Sequence, residues 1–196
     1  MHLILASSSP YRRSMLERLG LPFTAVSPDV DETPRADERP AQLALRLSLA
    51  KCQAVSDLHP GAVVIGSDQV ATLDGTPIGK PGNFERARQQ LGQLSGQTVE
   101  FHSALCVSNG RRYEIDDVVT TCRFRRLSAA QIDAYLRREE PYDTAGSAKA
   151  EGLGIALMDS MQSTDPTAII GLPLIALTRM LGSFGLDPLS HTDGGA

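Results

Sequence analysis

Ser7-Ser8-Ser9-Pro10-Tyr11-Arg12-Arg13 puts three serine hydroxyls and two guanidiniums within seven residues. If a helix begins at Pro10, the free N–H groups of its first turn and the positive end of its dipole favour an anion there. The serine hydroxyls add donors, and guanidinium offers paired donors that match phosphate oxygens. The plainer alternative is that the serines only cap the helix while the arginines face solvent. An arginine pair at a helix N-terminus nevertheless works against the dipole unless an anion is present.

A second group follows an apolar run, in Ile65-Gly66-Ser67-Asp68-Gln69-Val70. In open α/β sheets the ligand crevice lies beyond the carboxyl ends of strands, where the run would place Asp68. A carboxylate there could bind Mg²⁺ or take a proton from an attacking water, and it could equally cap the following turn.

Lys80, in Ile78-Gly79-Lys80-Pro81-Gly82, sits between a flexible and a rigid residue and could reach phosphate as a point charge, although most loop lysines are only solvated. Asp29, Asp31 and Glu32 cluster before Thr33-Pro34, and Lys51 lies midway along a predicted helix close to its apolar stripe. Each also reads as a turn residue or a helix-face charge. Thr144 to Gly154 is rich in small residues and carries Lys149 and Glu151. Such a stretch permits close approach of backbone to a ligand, but it does not match the phosphate-loop pattern G-x-x-x-x-G-K-S/T. His2, His59, His102 and His191 are scattered without cysteine or carboxylate partners at ligand spacing, which argues against a zinc site and a Ser-His-Asp triad.

The elements that must position these groups alternate. Leu3 to Ala6 reads as a strand, with Ser9 as N-cap, Pro10 at the first helical position and Gly20 as the stop of the next helix. A second helix is predicted over about Ala41 to Leu58, with Leu43, Leu47, Ala50 and Ala54 in helical register. Ala62 to Gly66 reads as a strand buried on both faces and ending at Ser67-Asp68. Leu73-Asp74-Gly75-Thr76 and Asn109-Gly110 are hairpin signals, the latter between Thr98–Ser108 and Arg111–Arg125. Helices are predicted over Phe84–Leu94, capped by Asn83, over Ala129–Arg138, where Ser128 and Gln131 form a capping box, and over Leu172–Phe184. Strands alternating with helices, plus hairpins, predict a mixed, partly antiparallel α/β sheet flanked by helices.

Length and composition bound the rest. A chain of 196 residues suits one domain, expected over 1–189, with a polar tail at 190–196 that has little apolar surface to hold it. Hydrophobic residues at 41% and charged residues at 21% describe a soluble globular protein. The N-terminus has no basic n-region and reads as a strand rather than a signal peptide, and no segment is apolar enough to span a bilayer. Cys52, Cys106 and Cys122 are far apart and outside any C-x-x-C pair, which suits reduced thiols and a cytoplasmic address. A net charge of −4 argues against binding a nucleic-acid polymer but leaves room for a locally basic nucleotide site.

In order along the chain, Ala6-Ser7-Ser8-Ser9-Pro10-Tyr11-Arg12-Arg13, Val30-Asp31-Glu32-Thr33, Lys51, Gly66-Ser67-Asp68-Gln69-Val70, Gly79-Lys80-Pro81, Ala145-Gly146-Ser147 through Glu151-Gly152 and Ile170-Gly171-Leu172-Pro173 resemble the Maf family of nucleoside triphosphate pyrophosphatases. The match runs from about Leu3 to Pro188, and its specificity lies in the order of seven pieces.

The resemblance implies two lobes around a central cleft, a homodimer, a divalent cation (Mg²⁺ or Mn²⁺) and hydrolysis between the α and β phosphates of a small-molecule nucleotide. It makes Asp68 the proton acceptor that activates water and a metal ligand, with Glu32 as the second metal-binding residue. It makes Ser7, Arg12, Arg13, Lys51 and Lys80 the polyphosphate clamp. Tyr11, Gln69 and Glu151 resemble the specificity positions of the branch associated with 7-methyl-GTP, where an aromatic face stacks on a cationic purine and a carboxylate accepts from guanine N1 and N2. That branch carries tryptophan where this chain has Tyr11, a weaker cation-binding face. The alternatives are the family's dTTP/UTP branch and a non-catalytic nucleotide-binding regulator of septum formation.

Overall fold

The computed structural model describes residues 2–190, so the predicted tail lies outside the described residues from His191 onward. Its strands are β1 (Leu3–Ala6), β2 (Phe23–Val26), β3 (Val63–Leu73), β4 (Thr76–Ile78), β5 (Thr98–Ser108), β6 (Tyr113–Phe124) and β7 (Met158–Ser163). Its α-helices are α1 (Pro10–Glu17), α2 (Pro40–Ser56), α3 (Phe84–Leu94), α4 (Ala129–Glu139) and α5 (Leu174–Ser183).

The caps read from the sequence are those observed. The Ser9 side chain accepts from the Arg12 N–H with Pro10 in the first turn, Asn83 accepts from Arg86 N–H, and Ser128 and Gln131 form a reciprocal capping box. The second helix ends at Ser56 rather than Leu58, and the last begins at Leu174 rather than Leu172.

The sheet runs β2-β1-β3-β5-β6-β7, with β4 also on β3. β1 is parallel to β2 and β3, while the β3, β5, β6 and β7 pairs are antiparallel, so the sheet is mixed as expected.

The strand read from Ala62–Gly66, which is β3, is much longer than its apolar run. It was expected to end at Ser67-Asp68, yet it continues to Leu73, which puts Asp68 in mid-strand. The crevice has a different cause: β1 pairs with β3 only up to Ala6↔Gly66, and β4 begins only at Ala71↔Ile78. Residues 67–70 therefore form an unpaired stretch of strand edge just beyond the carboxyl end of β1.

The core divides at the same place. Val63 and Ile65 of β3, with Leu105 and Val107 of β5, pack with Leu16, Leu177 and Leu181. Farther along the same strands, Ala71, Val99 and Phe101, with Cys122 and Phe124 of β6, pack with Leu91 and Leu136. Between the two clusters the strands bury the polar side chains of Ser67 and Ser103, while Asp68 points from the other face towards Lys51 of α2. Two lobes thus share the long strands, with a polar waist between them.

On the opposite face α2 lies against β3 and β5. Gly66 permits this approach, because a Cβ there would stand 2.2 Å from the Ser48 carbonyl oxygen and 2.7 Å from Cys52 Cβ. The buried face of α2 is Leu43, Ala44, Leu47, Ser48, Lys51, Cys52 and Val55. Ala50 and Ala54, expected on that face, are only half-buried, and Lys51 takes the inward place.

Candidate active site

The waist opens into a cleft of about 370 Å³ lined by residues from both lobes. Ser7, Tyr11, Arg12, Glu32, Lys51, Asp68, Gln69, Lys80 and Glu151 all line it. Arg13 does not. One position further round α1, it is exposed and paired with Glu17 at 3.2 Å, as the solvated alternative for that arginine requires.

At the centre, Lys51 Nζ stands 2.6 Å from Asp68 Oδ1 and 2.6 Å from Glu32 Oε1. Lys51 and Asp68 are buried, at 6% and 8% exposure, whereas the Glu32 side chain is 61% exposed. Glu32 comes from the connection between β2 and α2. Arg46 of α2 anchors that connection with bonds to both Glu38 carboxylate oxygens, at 2.6 and 2.8 Å, and to the Thr33 carbonyl at 3.1 Å. Partial burial alone would raise the pKa of Glu32. The hydrogen bond from Lys51, with the charges of Lys51, Lys80 and Arg12, outweighs this and holds the carboxyl below its usual range.

Arg12 donates through Nε to the Gly171 carbonyl at 3.0 Å, and Ser67 Oγ donates to the same oxygen at 3.1 Å. Gly171 has φ of 111°, a backbone that side chains resist, and it turns its carbonyl to both donors. Burial pulls the Arg12 pKa down, opposed by the charges of Asp68 and Glu32. Among the described residues the terminal guanidinium nitrogens of Arg12 have no protein acceptor within hydrogen-bond distance. Ser7 Oγ accepts from the Ser9 N–H at 3.1 Å, shaping the turn before α1.

Gln69 lines the cleft, but its amide nitrogen is committed to the framework. It lies 3.0 Å from Ser103 Oγ, the Ala168 carbonyl and the Ile169 carbonyl alike. Gln69 therefore ties the segment bearing Gly171 to the sheet.

The other end of the cleft has a different character. The Tyr11 hydroxyl donates to Asp143 Oδ2 at 3.2 Å. Lys149 Nζ is 5.8 Å from the Tyr11 ring centroid and 3.7 Å from Asp143 Oδ1. Burial depresses the Lys149 pKa, but Tyr11, Asp143 and Glu139 together hold it above its usual value. Asp143 escaped sequence analysis because Pro141-Tyr142-Asp143 reads as an ordinary turn. Asp165 escaped it too: fully buried, it accepts from Thr167 N–H and Oγ1, Ile175 N–H and Ala176 N–H, and so anchors the start of α5.

The donor set fits a hard divalent cation brought in with a polyphosphate. No group of three or more His, Cys, Asp or Glu side chains is arranged to hold an ion among the described residues. Mg²⁺ is commonly bound by one or two carboxylates together with substrate phosphate oxygens, and Asp68 and Glu32 are two carboxylates sharing one cationic partner.

A two-lobed mixed α/β protein with a basic cluster and two converging carboxylates in its cleft is the class that these features define. The chain belongs to the Maf family, matching the "Maf-like protein" pattern over residues 2–184. It is 74% identical over 188 residues to the 7-methyl-GTP pyrophosphatase of Bordetella pertussis, covering 96% of this chain and 94% of that one. It is 63% identical over 197 residues to the 7-methyl-GTP pyrophosphatase of Burkholderia lata, covering 98% and 94%. Among solved structures, the Ham1 protein of Staphylococcus aureus aligns with a TM-score of 0.48 at 14% identity, over 64% of this chain and 73% of that one.

Proposed function

We propose that this protein is a 7-methyl-GTP pyrophosphatase, hydrolysing the bond between the α and β phosphates to give 7-methyl-GMP and diphosphate. The observation that carries the reading is the convergence of Asp68, Glu32 and Lys51 at 2.6 Å separations in a cleft also lined by Arg12 and Lys80. The base preference is supported by relatives of 74% and 63% identity that carry that name.

In this reading Asp68 accepts the proton of the attacking water, and Lys51, 2.6 Å away, orients the buried carboxylate until substrate arrives. Arg12 and Lys80 bind the phosphate oxygens, with Ser7 at the turn before α1. Arg13, paired with Glu17 outside the cleft, has no part in it. Glu32 and Asp68 are the residues that would hold a divalent cation, which would supply neutralisation of the charge that builds on the departing diphosphate. Positioning and charge neutralisation are the main requirements of this displacement, and the cationic lining meets both. Tyr11 and Glu151 take the base, and Gln69 holds the wall behind it.

The reading includes a homodimer and a cytoplasmic address. The three buried free thiols suit a reducing compartment, and no helix among the described residues is long and apolar enough to cross a membrane. Light scattering on the purified protein checks the dimer.

The experiment is diphosphate release from a panel of 7-methyl-GTP, GTP, dTTP and UTP with Mg²⁺ or Mn²⁺. The highest kcat/KM is expected for 7-methyl-GTP. Preference for dTTP and UTP would overturn the base assignment, and no turnover of any triphosphate would overturn the enzyme assignment.

A further inference from the structure

The cleft charges fall into two groups. Lys51, Lys80 and Arg12 act together on Glu32 beside Asp68, whereas Tyr11, Asp143 and Lys149 form a second cluster, with Glu151 also lining the cleft. The second group already holds a cation. The Lys149 ammonium lies within cation–π range of Tyr11, at 5.8 Å from the ring centroid, and beside Asp143 at 3.7 Å. Asp143 touches both members, since its other oxygen accepts from the Tyr11 hydroxyl. The charges of Asp143 and Glu139 both act on this ammonium, and Glu151 lines the same cleft, so carboxylates outnumber the one resident cation around Tyr11.

We infer that Asp143 is a specificity-determining residue, the counter-charge that lets this cleft distinguish a positively charged methylated purine from its neutral parent. This rests on the reading of the chain as a 7-methyl-GTP pyrophosphatase. Methylation at N7 gives the purine ring a formal positive charge while leaving its N1 and N2 donors in place. A carboxylate such as Glu151, bonded to those donors, serves GTP and 7-methyl-GTP alike. The charge itself must be read by an aromatic face and a negative charge beside it. Tyr11 is a weaker cation-binding face than tryptophan, so the adjoining carboxylate carries more of that discrimination. The Asp143 side chain is 59% exposed and lines the cleft, so its carboxylate stays accessible to the base beside its contacts with Tyr11 and Lys149.

Lys149 gives the inference a second, opposite handle. As the resident cation it offsets Asp143 and competes for the Tyr11 ring. Asp143→Asn should lower the discrimination, and Lys149→Met should raise it. A merely structural role for this cluster would lower it in both.

The test is the ratio of kcat/KM for 7-methyl-GTP over GTP, at mildly acidic pH where the methylated base keeps its N1 proton. It is measured in the wild type, Asp143→Asn, Lys149→Met and Tyr11→Phe. Asp143→Asn is expected to reduce the ratio about fivefold, the scale of one partly exposed charge interaction. Lys149→Met is expected to increase the ratio, and Tyr11→Phe, which keeps the ring and loses the hydroxyl, to change it less than Asp143→Asn does. An unchanged ratio in Asp143→Asn overturns the inference, as does a Tyr11→Phe effect as large as that of Asp143→Asn, because Asp143 would then only orient the ring. A wild-type enzyme without preference for 7-methyl-GTP would instead overturn the substrate reading, and the inference with it, before any variant is compared.

Discussion

Lys51 of α2 and Asp68 of β3 meet at 2.6 Å with both side chains almost wholly buried. They come from different layers, and only the missing side chain of Gly66 lets those layers lie close enough for the contact. Removing one partner of a buried pair strands the other charge, so the two residues link fold and chemistry.

Asp68→Asn is expected to lower kcat at least about 100-fold, the usual contribution of a positioned general base. The amide keeps an acceptor for Lys51 and Glu32 still pairs with the ammonium, so the melting temperature should fall only modestly. A crevice carboxylate ordinarily contributes little core burial, and its replacement by alanine would spare the fold. The buried pair changes that, and Asp68→Ala should melt lower than Asp68→Asn. Thermal denaturation and steady-state kinetics on the two variants check both statements, and wild-type kcat in Asp68→Asn would remove its assigned role.

Gly66→Ala is expected to separate α2 from the sheet. Its Cβ would meet the Ser48 carbonyl oxygen at 2.2 Å, a backbone atom that cannot swing aside. Overpacking of this kind costs about 1–3 kcal/mol, or a fall of roughly 2–10 °C in Tm for a chain of this size. Because Lys51 moves with α2, kcat should fall too. A variant as active and stable as the wild type would contradict the role given to this glycine.

Asp165→Asn tests the anchor beneath the Gly171 turn. The carboxylate accepts four hydrogen bonds in a fully buried setting, and an amide can satisfy only part of them. A loss of about 3 kcal/mol is expected from the unsatisfied donors. KM should rise as well, since the same segment presents the carbonyl that orients Arg12. Chemical denaturation separates the stability effect from the kinetic one.

His102 and Asp117 provide a pH-dependent element away from the cleft. Their side chains meet at 2.7 Å. The hydrogen bond to Asp117 raises the His102 pKa above 6.5, burial opposes it, and the charges of Asp117 and Glu100 add to it. The stabilisation is therefore fully present below the unfolded value and is lost as pH rises through the folded one. His102→Gln cannot titrate, so the Tm advantage of the wild type over this variant should shrink from about pH 6 to about pH 8. A constant or growing advantage would contradict the pairing.

Much of this architecture is legible in the sequence because its signals are local. Ser9-Pro10, Asn83 and the Ser128–Gln131 pair satisfy helix starts within a single turn, and the two hairpins announce themselves at Asp74-Gly75 and Asn109-Gly110. β2 and β7 leave no such mark, since each lies at a sheet edge and buries too little to alternate. The full length of β3 is hidden for the opposite reason. Its middle carries Ser67, Asp68 and Gln69, whose polarity mimics a strand end although the ladder to β5 continues through them. At the site, Arg12 and Arg13 are equivalent in sequence, and only the turn of α1 sends one into the cleft and the other to Glu17. Asp143 and Asp165 become visible only through partners distant in the chain.

The central claim is the bond that is cut. Phosphorus NMR of the products formed from 7-methyl-GTP and Mg²⁺ tests it most directly. The prediction is equal amounts of 7-methyl-GMP and diphosphate from the wild type, with no 7-methyl-GDP formed along the way. Accumulation of 7-methyl-GDP with inorganic phosphate would contradict it.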